Sequence, residues 1–158
     1  MTTTTRTIPS PLGPLRLVAS ETGLRGIDFA ADATGRGVVE KHDVLDHIER
    51  ELVDYFAGAL RSFTVALEPV GTSFQREVWT ALGGIPFGTT ISYSALAERV
   101  GRPTASRAVG AANGKNPLPI VVPCHRVVGA DGRLVGYSGG LQIKQTLLMH
   151  EGWAVDRR

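Results

Sequence analysis

Cys124 is the chain's one cysteine. It sits in the run Ile120-Val121-Val122-Pro123-Cys124-His125-Arg126-Val127-Val128. The thiolate is the reactive form of cysteine, and a neighbouring imidazole and guanidinium both favour it. Pro-Cys-His-Arg inside an apolar, strand-like run therefore suggests a nucleophile. A lone cysteine is also a common small buried hydrophobe, and the residues alone leave both readings open. On an extended strand, adjacent side chains point to opposite faces. His125 then reaches Cys124 only if the backbone bends or a water bridges them. With a single cysteine no intrachain disulfide forms, and a Cys-rich structural zinc site is excluded. A free thiol fits a reducing compartment.

The elements that must position this thiol fall into two halves. Thr5–Ile8 and Leu15–Ala19 read as strands around the turn Ser10-Pro11-Leu12-Gly13, and Leu24–Phe29 as a third. Residues 30–37 look like a loop. Asp43 starts a helical pattern with Val44, Ile48, Leu52 and Tyr55/Phe56 on one face, ended by Gly58. His42 and His47 fall in this region and receive no role. Phe63–Leu67 is expected to be one more strand. Pro69-Val70-Gly71-Thr72 reads as the linker, giving domains 1–68 and 69–158. Thr72 or Ser73 caps a helix through Leu82. Ile85-Pro86-Phe87-Gly88 is a turn, and Ser92 or Tyr93 opens a short helix to Val100. Gly101-Arg102-Pro103 breaks it before an Ala-rich helix from about Thr104 to Asn113. Two short helices around a tight Gly-containing turn form a helix-turn-helix pattern. The segment from Asn116 to Gly140 is rich in Gly and Pro, a common setting for an active site. Leu141–His150 is a final helix closed by Glu151-Gly152, with His150 facing solvent. The fold class expected is α/β (α+β): a small N-terminal sheet-plus-helix domain and a mostly helical C-terminal domain with a winged-helix-like helix-turn-helix.

The net charge of +2 is split unevenly. Residues 1–68 carry 7 Lys/Arg against 10 Asp/Glu, and residues 69–158 carry 10 against 5. From Arg99 to Arg133 there are six basic residues, Arg126 among them, and one acid, Asp131. A basic C-terminal half is compatible with a polyanion partner and equally with a merely solvated surface.

Pro-Cys-His-Arg followed by Val-Val, and then Gly136-Tyr137-Ser138-Gly139-Gly140, resembles the O6-alkylguanine-DNA alkyltransferase family. Ile91-Ser92-Tyr93, Ala105-Ser106-Arg107-Ala108-Val109-Gly110, Asn116-Pro117 and Leu147-Leu148-Met149-His150-Glu151-Gly152 follow the family in order and near its spacing. The match covers about residues 72–153. The resemblance implies direct-reversal DNA repair: an irreversible, single-use transfer of an alkyl group from O6-alkylguanine, and from O4-alkylthymine, to Cys124. It implies that His125 takes the thiol proton through a water, that Glu151 orients the imidazole, and that Asn116 supports the turn carrying the cysteine. It implies that Tyr93 donates to a flipped guanine, and that groups near Val127, Tyr137 and Ser138 line the base pocket. Arg107 would fill the gap in the base stack, with Ser94 and Arg102 completing the DNA-binding set. The partner implied is double-stranded DNA entered from the minor groove, by a monomer with some cooperativity. No cofactor is expected. Some family members hold zinc in the N-terminal domain through cysteine and histidine; with no second cysteine, no metal is expected here.

The chemistry fits those residue types. Displacement at an alkyl carbon suits a soft thiolate, and donors at the guanine ring help it leave. The thioether product has no easy leaving group, so each molecule acts once. The target atom lies inside a duplex, so the nucleotide must be flipped out. Gly129 and Ala130, being small, suggest room for bulkier O6 adducts. Three rival readings have distinct signatures: a non-catalytic alkyltransferase-like sensor lacks the cysteine, a transcription regulator needs a dimer or effector surface, and a cysteine hydrolase would turn over an ester. No apolar run reaches the roughly 18 residues of a membrane span, and the N-terminus has no apolar signal core, so a cytoplasmic protein is expected.

Overall fold

The computed structural model describes residues 2–29, 40–137 and 139–153. The loop expected at 30–37, and Ser138, lie outside the described residues. The chain separates into two compact units, Met1–Val70 and Gly71–Arg158.

In the first unit, β1 (Thr4–Ile8), β2 (Leu15–Ala19) and β3 (Leu24–Phe29) form an antiparallel sheet in chain order. Alternation sets one face: β2 buries Leu15, Leu17 and Ala19 completely, as period-two spacing requires. The β1–β2 turn is held by Ser10, whose hydroxyl accepts from Leu12 N (3.0 Å) and donates to Gly13 O (2.6 Å). Gly13 takes φ +95°, where a side chain would be strained. Helix α1 (Asp43–Phe56) covers the sheet with Val44, Leu45, Ile48, Leu52 and Tyr55. His42, left without a role by its sequence context, is its N-cap: its Nδ1 accepts from Leu45 N at 3.2 Å.

The strand expected at Phe63–Leu67 does not form. Among the described residues, this segment meets the sheet at a parallel bridge from Leu67 to Leu24. The reason is a competing acceptor: the buried Glu51 carboxylate takes the backbone N–H groups of Thr64 and Val65 at 2.9–3.1 Å. Donors held by a side chain are not available to a ladder.

The second unit begins with α2 (Ser73–Leu82). Thr72 accepts from Gln75 N at 3.1 Å and the Gln75 side chain accepts from Thr72 N at 3.0 Å, a reciprocal cap. Thr72→Ala is expected to lower stability by about 1 kcal/mol, read as a reduced urea midpoint; an unchanged midpoint would show the cap to be idle. Helices α3 (Tyr93–Arg99) and α4 (Ser106–Gly114) form the helix-turn-helix, with Gly101 at φ +74° in the turn. Ser92 caps α3 by accepting from Ala95 N. The α4 helix starts at Ser106, two residues later than expected. Trp79 donates to Ala112 O at 2.9 Å and ties α2 to α4. A short parallel pair joins β4 (Ile91–Ser92) to β5 (Val127–Val128), and α5 (Leu141–His150) closes the unit. The expected α/β class is the one observed. Among the described residues, no helix is long and apolar enough to cross a membrane, and no group of three or more His, Cys, Asp or Glu could hold a metal ion.

Candidate active site

Three prolines, Pro117, Pro119 and Pro123, interrupt the apolar stretch before Cys124. Each lacks a backbone donor, so a continuous strand cannot form there. The strand-like reading of this run is corrected accordingly: the chain coils, and only Val127–Val128 pair with a neighbour. Asn116 braces the coil, donating from Nδ2 to Val122 O (2.8 Å) and accepting at Oδ1 from Leu118 N (3.0 Å). Ile120 sits in the coil at φ +76°, a conformation that costs a β-branched residue on the order of 1–3 kcal/mol. Its burial at 1 % exposure holds it there.

The coil delivers Cys124, His125 and Arg126 on one 3₁₀ turn, all buried. Cys124 and His125 are therefore not placed on opposite faces of a strand. His125 Nε2 lies 2.9 Å from Glu151 Oε2. Its Nδ1 is buried and has no hydrogen-bond partner among the described residues. Glu151, the residue after α5, is held from the other side by Arg126, which donates from Nε (2.8 Å) and Nη2 (2.9 Å) to the two carboxylate oxygens. Arg126 Nη1 also donates to Ile85 O at 2.6 Å. One buried carboxylate thus serves an imidazole and a forked guanidinium, a geometry suited to fixing both. Arg126 is accordingly removed from the basic surface counted in the sequence: its charge is internal.

Burial pushes the Cys124 thiol up from its ordinary value, against hydrogen bonds from Asn116 and Tyr137 and the charge of Lys144, which favour the thiolate. The supporting groups are not the adjacent imidazole and guanidinium that the sequence suggested, since both are committed to Glu151. Burial also lowers the His125 pKa, against the opposing pull of Glu151. The imidazole is thereby held neutral and able to accept a proton.

Lys144 is the functional group that sequence reasoning missed. It is fully buried on α5 and donates to Val135 O (2.8 Å) and Gly136 O (3.2 Å). Its Nζ lies 6.0 Å from the Tyr93 ring centroid. Burial lowers its pKa to about 8. The available signal was a cation in line with Leu147 and Leu148, three and four residues on, where the helix presents its apolar stripe. The Tyr93 hydroxyl donates to the same Val135 carbonyl at 3.1 Å. Burial, then the nearby Cys124, raises the Tyr93 pKa, which keeps the phenol a donor. Gly110 of α4 passes the Tyr93 ring closely: a Cβ there would meet Cδ1 at 3.6 Å.

Cys124, His125, Asn116, Glu151, Tyr137 and Tyr93 are thus gathered around the 3₁₀ turn. Val127 follows directly, paired to Ile91. Ser94, Arg102 and Arg107 lie elsewhere, exposed on α3, the following turn and α4. Ser94 exchanges a hydrogen bond with Ser92 at 3.1 Å. Arg102 reaches Glu77 at 3.4 Å and lies over the Phe74 ring at 5.2 Å. One smaller expectation is corrected. His150 packs against Phe87 with centroids 6.5 Å apart rather than simply facing solvent. Gly129 sits in a close turn, where a Cβ would meet Arg133 O at 3.1 Å.

A buried thiol with a proton acceptor and oriented donors, carried on the same unit as a helix-turn-helix, defines a DNA-acting protein with a cysteine acceptor. The chain belongs to the 6-O-methylguanine DNA methyltransferase family. The family's DNA-binding domain matches residues 73–153 and its ribonuclease-like domain residues 4–69. A methylated-DNA–protein-cysteine methyltransferase of Methanosarcina acetivorans is 48% identical over 147 residues, covering 90% of this chain and 94% of the relative. Its namesake in Mycolicibacterium paratuberculosis is 48% identical over 149 residues, covering 92% and 90%. The crystal structure of the Mycobacterium tuberculosis O6-methylguanine methyltransferase superposes with a TM-score of 0.85 at 41% identity, covering 99% of this chain and 97% of that one. A crystal structure of Mycobacterium tuberculosis OGT in complex with DNA gives 0.84 at 44% identity, covering 93% and 91%.

Proposed function

We infer that this protein repairs DNA by direct reversal, moving the alkyl group of O6-alkylguanine irreversibly onto Cys124. The observation that carries the reading is the chain's one cysteine, buried beside the His125–Glu151 pair. The sulfur attacks the alkyl carbon as its bond to O6 breaks. The product is a thioether on Cys124, and the thiol proton ends on the restored guanine. His125 receives that proton first, at Nδ1 through a water, and Glu151 stabilises the imidazolium so formed. Arg126 fixes Glu151, and Asn116 fixes the coil. Tyr93 turns its hydroxyl from Val135 to the departing base, while Val127, Tyr137 and Ser138 line the pocket. Lys144 holds the loop through Val135 and Gly136 and favours the thiolate.

DNA is bound through the helix-turn-helix, entered from the minor groove. Arg107 replaces the flipped nucleotide in the stack, which offsets part of an unstacking cost of about a few kcal/mol. Ser94 and Arg102 contact the backbone. Residues 69–158 carry binding and chemistry, and residues 1–68 support them. The protein acts in the cytoplasm as a monomer, with cooperativity on long DNA, and accepts O4-alkylthymine as a second substrate.

Intact-protein mass tests this. After incubation with a duplex bearing one O6-methylguanine, the protein is expected to gain about 14 Da, once per molecule, with no turnover. Retained lesion binding with no mass gain would instead make it a sensor.

A further inference from the structure

Helices α2 and α3 wall an open groove of about 580 Å³ on the second unit. Arg76 reaches it from α2 and Arg99 from the end of α3. Both are exposed, and neither makes an ion pair among the described residues. The groove's one acid, Glu77, is answered by Arg102 at 3.4 Å, from the turn that leads to α4. Glu77 is thus answered by Arg102, and the two arginines that line the groove, Arg76 and Arg99, keep their positive charges without an ion-pair partner among the described residues. Ser73 and Thr80 add hydroxyls.

We infer that this groove seats a backbone phosphate of the DNA duplex, extending the bound surface from the helix-turn-helix onto α2. The inference rests on the DNA-repair reading above. Guanidinium groups bind phosphate oxygens in forked geometry, and hydroxyls complete such sites without reading sequence. Convergence from two helices fixes a phosphate's position, as a lesion-directed protein needs while it scans. Arg102 links the groove to the α3–α4 turn through its contact with Glu77.

The test is the salt dependence of binding to a short undamaged duplex, followed by fluorescence anisotropy. In Arg76→Gln/Arg99→Gln, the slope of log affinity against log salt is expected to fall by about 0.9, the value for one phosphate contact. Affinity near physiological salt should fall about tenfold. Glu77→Gln should shift binding the other way, since it releases Arg102. Alkylation by free O6-benzylguanine should be unchanged in all three proteins, which reports an intact fold and thiol. A double variant with the parental slope and affinity would overturn the assignment. So would parental binding to the short duplex with cooperativity lost only on long DNA, which would give the groove to a contact between copies. If the parent protein itself neither binds duplex nor accepts an alkyl group, the repair reading falls, and this one with it.

Discussion

A Cys124→Ala variant is expected to transfer no alkyl group while still binding duplex DNA. No second cysteine exists to substitute, and the binding helices α3 and α4 do not include the thiol. The wild-type rate should carry the signature of a buried thiol. Burial holds the Cys124 pKa above its ordinary value of 9.0, so the thiol is protonated at neutral pH and its proton passes to His125 inside the site. Because that proton does not leave to solvent, the transfer rate should be level across neutral pH and fall in acid, once the His125 imidazole, whose pKa burial lowers, is itself protonated. Lys144 sets the alkaline side: its charge favours the thiolate below about pH 8 and is lost above, so the rate should fall there. Lys144→Met should transfer about tenfold more slowly near neutrality, the effect of removing a cation near the thiolate, and should lose the alkaline fall. Single-turnover quench of a labelled duplex across that range measures both. A Lys144→Met profile superimposable on the wild type would remove Lys144 from the mechanism.

The second large effect is expected at Glu151. Glu151→Gln leaves Arg126 buried with a formal charge and a weakened partner, and His125 without an anion. Breaking a buried pair from one side costs about 3–5 kcal/mol, read in urea denaturation. Transfer should fall by about 10² or more, as for loss of a proton-accepting group. The two readouts separate structure from chemistry. Arg126→Met should reproduce the loss of stability, yet keep more activity, because Glu151 can still reach His125. A Glu151→Gln protein that unfolds at the wild-type midpoint and transfers within about threefold of it would show the carboxylate to be dispensable.

The sequence revealed the elements with regular periodicity. The alternation of Leu15, Leu17 and Ala19, and the stripe Val44–Ile48–Leu52–Tyr55, each encode one buried face, and both appear as read. The helix-turn-helix was legible from Gly101 and Pro103 between two short helical runs. What stayed hidden depends on contacts distant in sequence. Nothing near Thr64 announces that Glu51, thirteen residues away, will occupy its donors and prevent a strand. Arg126 looks like one more surface cation until Glu151, 25 residues on, is folded against it. The prolines before Cys124 did signal a break, but not that the break would be a coil braced by one asparagine side chain. The groups that favour the thiolate came from Asn116, from the loop at Tyr137 and from Lys144 on α5, whereas the adjacent Arg126 is committed to Glu151.

The depth of Cys124 has a further consequence, for the protein's life before it meets damage. Peroxides and other oxidants attack thiolates that are exposed and easily ionised. At 3 % exposure and with its pKa raised by burial, Cys124 presents them with neither. A catalyst that turns over survives an occasional lost cycle, but a molecule that reacts once has no second thiol to offer. Burial therefore acts as storage: it slows ageing of the acceptor and reserves it for an electrophile delivered into the site.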